Sequence, residues 1–289
     1  MIDVVFAFLY RLIDIVPFAW LQPEFMKNAL VAVLLVAPVT ALIGVHLTAF
    51  RMAFFADAVS HSAFTGVALG FLFAVQPVLS MAVFAVIIAI VVVRVERTSS
   101  LAPDSVISVI MSAAIAVGLA IASYRKTFMR DLSQYLFGDI LTVTHTDILL
   151  LMAAAVVVAV FFVVTFNRLT LLSLNEHIAV KRFPRVAWTK LAFSLLTAVM
   201  VALSIKIIGM LLITSMLIIP AASARLIARN MRDTVWVSVI ASVVASVTGL
   251  VASYYLDIST GPAIIILLSV FFAVSYVAAL VLERRGNHA

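Results

Sequence analysis

Runs without charge dominate the pattern of this chain. No Asp, Glu, Lys or Arg occurs within 28–50, 58–93, 105–124, 148–167, 191–205, 207–224, 234–256 or 258–282. About 20 such residues in a helix cross the hydrocarbon core of a bilayer, so most of these runs are one span long. The run 58–93 is too long for one span. It is expected to fold back at Gln76-Pro77, because a proline after a polar residue ends a helix at an interface. That makes nine spans. The short runs 191–205 and 207–224 meet at Lys206, so one could be a partial or re-entrant helix, with eight full spans as the alternative.

Basic residues test the alternation, since short cytoplasmic loops are enriched in Lys and Arg. Folding at each boundary gathers Arg51, Arg94, Arg97, Arg168, Lys181, Arg182, Arg185, Lys190, Arg225, Arg229, Arg232, Arg284 and Arg285 on one side. Only Arg11, Lys27, Arg125, Lys126, Arg130 and Lys206 fall on the other. The richer side is expected to be the cytoplasm, which puts the C-terminus inside, the segment 124–147 outside and the segment 168–190 inside. Residues 1–22 contain Arg11, Asp14 and Pro17 and lack a basic start and a small-residue cleavage site, so they do not read as a signal peptide. With Phe6, Leu9, Ile13 and Val16 at helical spacing, they are expected to lie in the interface.

Composition removes the soluble alternatives. The 289 residues are 65% hydrophobic and 11% charged, against roughly 25% charged in an ordinary globular chain. The mean hydropathy is +1.26. The net charge of +6 is spread between the apolar runs and forms no nucleic-acid-binding patch. With no cysteine, structural disulfides and thiolate metal sites are excluded. No repeat or Gly/Ser-rich linker divides the chain. The expected fold is all-α, a single polytopic transmembrane helical bundle over 1–289 that is in contact with lipid.

Asp57 and His61, in FFADAVSHSAFTGVALGF, are what a bilayer should least tolerate. Their spacing of four puts both on one helix face, and His61 lies about 15 Å from Arg51, near mid-membrane. Ionisable residues at that depth usually mark an ion route or a proton relay. The bland alternative is a structural carboxylate–histidine pair tying two helices together. A carboxylate and an imidazole suit Zn²⁺, or in other geometries Mn²⁺ or Fe²⁺, and two ligands completed by water, another helix or a second subunit suit transit better than a closed cage. His46 is a candidate third ligand if the first two spans form a hairpin turning near Arg51. A lone histidine on an apolar helix is nevertheless more often bonded to a neighbouring carbonyl. Ser62, Gly66 and Gly70 form a small-residue row beside that face, compatible with a narrow path or with plain helix packing.

Enzyme readings fail. Ser60 and His61 point about 100° apart on a helix, and no GxSxG, HExxH or GxxxxGK[ST] occurs. ATP, if used, is bound by another chain. The inner segment NRLTLLSLNEHIAVKRFPRVAW mixes apolar residues with Asn175, Glu176, His177, Lys181 and Arg182. It reads as a short amphipathic helix ended before Pro184, either interfacial or docked in a partner's groove.

FFADAVSHSAFTGVALGF is similar to the DxxSHxxxxGxAxGF signature of the ABC-3 family of metal-ion importer permeases. DLSQYLFGDILTVTHTDI (131–148), IKIIGMLLITSMLIIPAASARLIAR (205–229) and DISTGPAIIILLSVFFAVS (257–275) resemble further segments of that family in the same order. The resemblance covers roughly 25–282 and is most similar to its zinc-uptake branch, although manganese and iron members share most of the pattern. It implies a type II importer-like permease of the bacterial inner membrane. The partners implied are a second copy of the chain, two cytoplasmic ATPase subunits and an extracytoplasmic metal-binding protein, with no permanently bound cofactor. By resemblance the metal pathway falls on Asp57 and His61, and coupling on Ser173 to Phe183, including Ser173, Asn175, Glu176 and His177. The expected function is inward passage of Zn²⁺, with Mn²⁺ or Fe²⁺ as same-family rivals and a stand-alone proton-coupled transporter as the rival from another class.

Overall fold

In a medium without water every backbone N–H and C=O must find its partner within the segment, so apolar spans fold as helices. The computed structural model describes residues 10, 18–124, 138, 140–183 and 186–286, and among them every regular element is helical. After a 3-10 turn at Ala19–Leu21 come α1 (Glu24–Ala49), α2 (Ala53–Leu72), α3 (Pro77–Thr98) and α4 (Pro103–Tyr124). Then follow α5 (His145–Leu174), the short α6 (Glu176–Arg182), α7 (Val186–Ile208), α8 (Met210–Ile227), α9 (Met231–Leu256) and α10 (Thr260–Gly286). All but α6 are long and apolar enough to cross a membrane, which makes nine spans among the described residues. Most of the interfacial segment expected at 1–22, together with Arg125, Lys126, Arg130, Pro184 and Arg185, lies outside the described residues.

Helix boundaries have local causes. The break in 58–93 falls where the sequence placed it, with Pro77 opening α3, a position at which its missing N–H costs nothing. The break between the two short runs falls at Gly209, beyond Lys206, which stays inside the last turn of α7. Gly209 has φ 80° and ψ 163°, a region open essentially to glycine alone, so the turn belongs to the glycine and the lysine is free to pair. Helices α1, α2 and α9 end on the left-handed residues Arg51, Ala74 and Asp257. In each case the next N–H reaches back five residues, Met52 to Leu47, Val75 to Gly70 and Ile258 to Ser253, which satisfies the terminal carbonyls. Side chains cap the starts: Thr144 and Asp147 form a reciprocal box at α5, Asn175 caps α6 and Asn230 caps α9.

The core lies around α1 and α2. Helix α1 packs on α5, α8 and α9, whereas α2 packs on α3, α4 and α7, with α1 and α2 meeting little beyond their connecting turn. Outer helices carry the lipid-facing surface, for example Val163, which is 84% exposed. Interactions between helices sort the ends as the alternation requires. Lys190 Nζ donates to Glu96 Oε1 at 2.7 Å and Arg225 Nη1 to the Thr48 carbonyl at 2.9 Å at the end read as inner. At the opposite end Lys206 Nζ donates to Asp147 Oδ1 at 2.7 Å, and Asn28 donates to the Val143 carbonyl.

The small-residue row of α2 is a packing surface. A Cβ on Gly66 would lie 2.8 Å from Met81 Cα, and one on Gly70 3.0 Å from Pro77 Cα. Ser80 Oγ donates to the Gly66 carbonyl at 2.7 Å. Gly66→Val is therefore expected to separate α2 from α3 and cost about 1–3 kcal/mol, read as a lowered thermal transition in detergent. Gly261→Ala, at a position with nothing within 4 Å, should not move that transition. Sidedness is open to direct measurement in this cysteine-free chain. A cysteine replacing the exposed Ser259 is expected to react with a membrane-impermeant thiol reagent only from outside the cell, and reaction only from inside would invert the orientation.

Candidate functional site

Asp57 sits in the second turn of α2 and His61 one turn later, both half-buried. The two interact electrostatically, as helical spacing of four requires. The Thr214 hydroxyl of α8 lies beside the Asp57 carboxylate, its one proton shared between that acceptor and the Leu211 carbonyl at 3.2 Å. Carboxylate, imidazole and hydroxyl thus come together on the flank where α2 meets α8. Phe54 and Leu211, 51% and 52% exposed, lie a turn away on the same two helices. This flank is open in the single chain. Left against hydrocarbon, a carboxylate there would cost several kcal/mol, so water or protein must cover it.

His46 does not join this group. Its ring is fully buried, with centroids of Phe162, Phe166 and Phe193 at 5.0, 5.4 and 6.3 Å. Nδ1 donates to the Leu42 carbonyl at 3.2 Å, and Nε2 has no partner. Among the described residues no three His, Cys, Asp or Glu side chains are grouped to hold a metal. The physical reason is the divergence of α1 and α2: a shared turn sets similar depth, but α1 turns this face toward α5 and α7, away from Asp57. Ser62 is likewise buried, its hydroxyl unpartnered, while Gly66 and Gly70 face α3.

The inner segment holds the short helix expected before Pro184, α6, and its first residues belong to the end of α5. Ser173 and Leu174 end α5, and Asn175 Oδ1 accepts from the Ile178 N–H at 3.1 Å to start α6. Leu172, Ala179 and Val186 form a small core under it, and the Arg168 guanidinium lies over the Phe183 ring at 5.4 Å. Leu174, Ile178 and Val180, apolar residues of the amphipathic segment, are 78%, 53% and 55% exposed. An apolar triplet projecting beside Glu176, Lys181 and Arg182 is a surface built to be covered. His177 lies in α6, its side chain outside the described residues. Glu96–Lys190, Asp147–Lys206 and Thr214 were invisible to local spacing. Their one signal is that Lys206 and Thr214 are polar residues interrupting apolar runs.

If His46 only fills an aromatic box, His46→Phe should leave ion uptake by the assembled transporter unchanged. It should also raise the thermal transition in detergent, because a buried unpartnered nitrogen costs about 1–3 kcal/mol. Lost uptake with an unchanged transition would return His46 to the pathway.

Known proteins resemble this chain over nearly its whole length. The model of the ABC 3 transport family matches residues 22–279. The high-affinity zinc uptake system membrane protein ZnuB of Haemophilus influenzae is 31% identical over 252 residues, covering 87% of this chain and 97% of that protein. The manganese import system permease protein ScaB of Streptococcus parasanguinis is 30% identical over 269 residues, covering 93% and 95%. Among solved structures, PsaBC from Streptococcus pneumoniae in complex with Fab superposes with a TM-score of 0.77 at 27% identity, covering 88% of this chain and 92% of that one. With its nine spans and its family match over most of the chain, this multi-pass membrane protein belongs to the ABC 3 transport family.

Proposed function

We propose that this chain is the membrane permease of an ATP-driven importer that passes Zn²⁺ into the cytoplasm. It works as a homodimer with two cytoplasmic ATPase subunits and an extracytoplasmic metal-binding protein. The observation that carries this reading is the open flank holding Asp57, His61 and Thr214. A second copy facing it would cover the charge and bring a second carboxylate and imidazole. That makes four strong ligands, the number Zn²⁺ takes. Held between two movable chains, such a site releases its ion when the chains part. The exposed Leu174, Ile178 and Val180 on and beside α6 supply the apolar contact for an ATPase groove, and Glu176, Lys181 and Arg182 its polar rim.

The metal rests on chemistry and on relatives. An oxygen–nitrogen site without thiolate argues against Cu⁺, and the Irving–Williams order places Zn²⁺ above Mn²⁺ and Fe²⁺. The zinc-named relative supports zinc. Mn²⁺ is the second reading, favoured by the manganese import permease at nearly equal identity, with Fe²⁺ the remaining same-family alternative. Deletion of the gene should stop growth under zinc chelation and be rescued by added zinc alone; rescue by manganese alone selects the second reading.

Within the pathway, Asp57→Asn keeps the shape but removes the charge that balances a dication. Uptake into vesicles carrying the complex is expected to fall at least about tenfold, as for loss of a ligand or its support, with membrane insertion intact. His61→Ala should behave alike. Wild-type rates in both variants would make the pair structural. A stand-alone proton-coupled transporter would instead run on a pH gradient without ATPase, so ATP-dependent uptake separates the classes.

A further inference from the structure

Resting on the reading just given, an ATPase displaces α6, and that displacement has to arrive at Asp57. One route is covalent. Helix α7 follows α6 and ends just before Gly209, and α8 then carries Thr214 beside the Asp57 carboxylate. A second route crosses between helices. Lys190, in the second turn of α7, donates to Glu96 at the inner end of α3 at 2.7 Å, with side chains only 16% and 13% exposed. The other Glu96 oxygen is buried without a partner, so Lys190 is the group that answers this carboxylate's charge. Helix α3 is in turn clasped to α2 through Gly66, Gly70 and Ser80, and α2 bears Asp57 and His61.

The pair stands at a cavity of about 370 Å³ that is also lined by Arg51, Ser173 and Glu176. Free volume thus lies directly beside the α5–α6 junction. Apolar packing between α7 and α3 resists separation but is non-directional and opposes sliding weakly. A desolvated ion pair differs, because it cannot exchange its partner for water at small cost. We propose that Lys190–Glu96 is a positioning pair that fixes the helix leaving the coupling segment to the α2–α3 unit. When α6 is displaced, α7, α3 and α2 then move as one body and the Asp57/His61 flank opens in step with ATP hydrolysis.

The test uses the assembled complex with its ATPase in liposomes, supplied with the extracytoplasmic metal-binding protein, and reads ions taken up per ATP hydrolysed, for Zn²⁺ and for Mn²⁺. Glu96→Gln and Lys190→Met are each expected to leave ATP hydrolysis within about twofold of wild type while the uptake ratio falls about tenfold, the scale of a coupling energy. The exchange Glu96→Lys with Lys190→Glu should recover most of the ratio. Since exchanged charges can disturb folding, Glu96→Cys with Lys190→Cys provides a second arm in this cysteine-free chain: a low ratio before, and a restored ratio after, joining with a short bifunctional thiol cross-linker. Wild-type ratios in both single variants overturn the proposal. So does a parallel loss of hydrolysis and uptake that neither exchange nor cross-linking repairs, because that is a folding role. A wild-type complex that hydrolyses ATP and takes up neither ion overturns the import reading itself, and the pair's role with it.

Discussion

Charge cannot be left in hydrocarbon, and the arrangement of this bundle follows from where its few charges go. Moving a carboxylate or an ammonium to mid-bilayer costs several kcal/mol even after relaxation, far more than any one helix contact returns. At one end Glu96 is matched to Lys190 and Arg225 reaches the Thr48 carbonyl. At the other, Asp147 takes two bonds from Lys206 and a third from the Thr144 hydroxyl. These pairs join elements far apart in sequence, so satisfying them also fixes which helices are neighbours. Asp57 and His61 break the pattern. They lie inside a span, half-exposed on a flank that the single chain leaves open, with the Thr214 hydroxyl of α8 beside the carboxylate.

Much of the fold was legible in the sequence because the bilayer makes periodicity and length decisive. Eight charge-free runs, one of them doubled at Gln76-Pro77, correspond to the nine long helices. Spacing of four correctly joined Asp57 to His61, since both lie on one helix. What spacing could not supply was the neighbour. A helical face is defined relative to its own axis, so His46 and Asp57 could be given a common depth but no common direction. The aromatic box of Phe162, Phe166 and Phe193 comes from two later helices. Thr214 escaped for the same reason. Lys206 misled for another: a lysine between apolar runs looks like a loop, whereas a lysine with Asp147 to meet stays in the helix and leaves the turn to Gly209.

The left-handed helix ends show a cost the chain accepts to keep its turns short. Arg51, Ala74 and Asp257 occupy a conformation that costs a residue with a Cβ about 1–2 kcal/mol, where glycine would be free of it. Arg51 and Asp257 are exposed and charged, as suits the ends of spans.

Under the proposed function, the cost of charge in hydrocarbon also governs how an ion can pass. A site that bound a dication with a complete shell from one chain would be stable and slow, because every ligand would have to be lost before release. On the reading proposed above, two ligands and a hydroxyl from each chain give the opposite balance: too few to hold an ion until a second copy faces them, and parted again when the chains separate. The small row that could have lined such a path is instead spent on clasping α2 to α3. Clasping matters because a weak site works only if its ligands keep their mutual geometry while their surroundings change. A carboxylate and an imidazole one turn apart on a helix held rigidly by its neighbour satisfy that condition. The hydroxyl across from them, Thr214, belongs to a different unit: α8 is parted from α7 by the one residue Gly209 and packs on α1, α9 and α10.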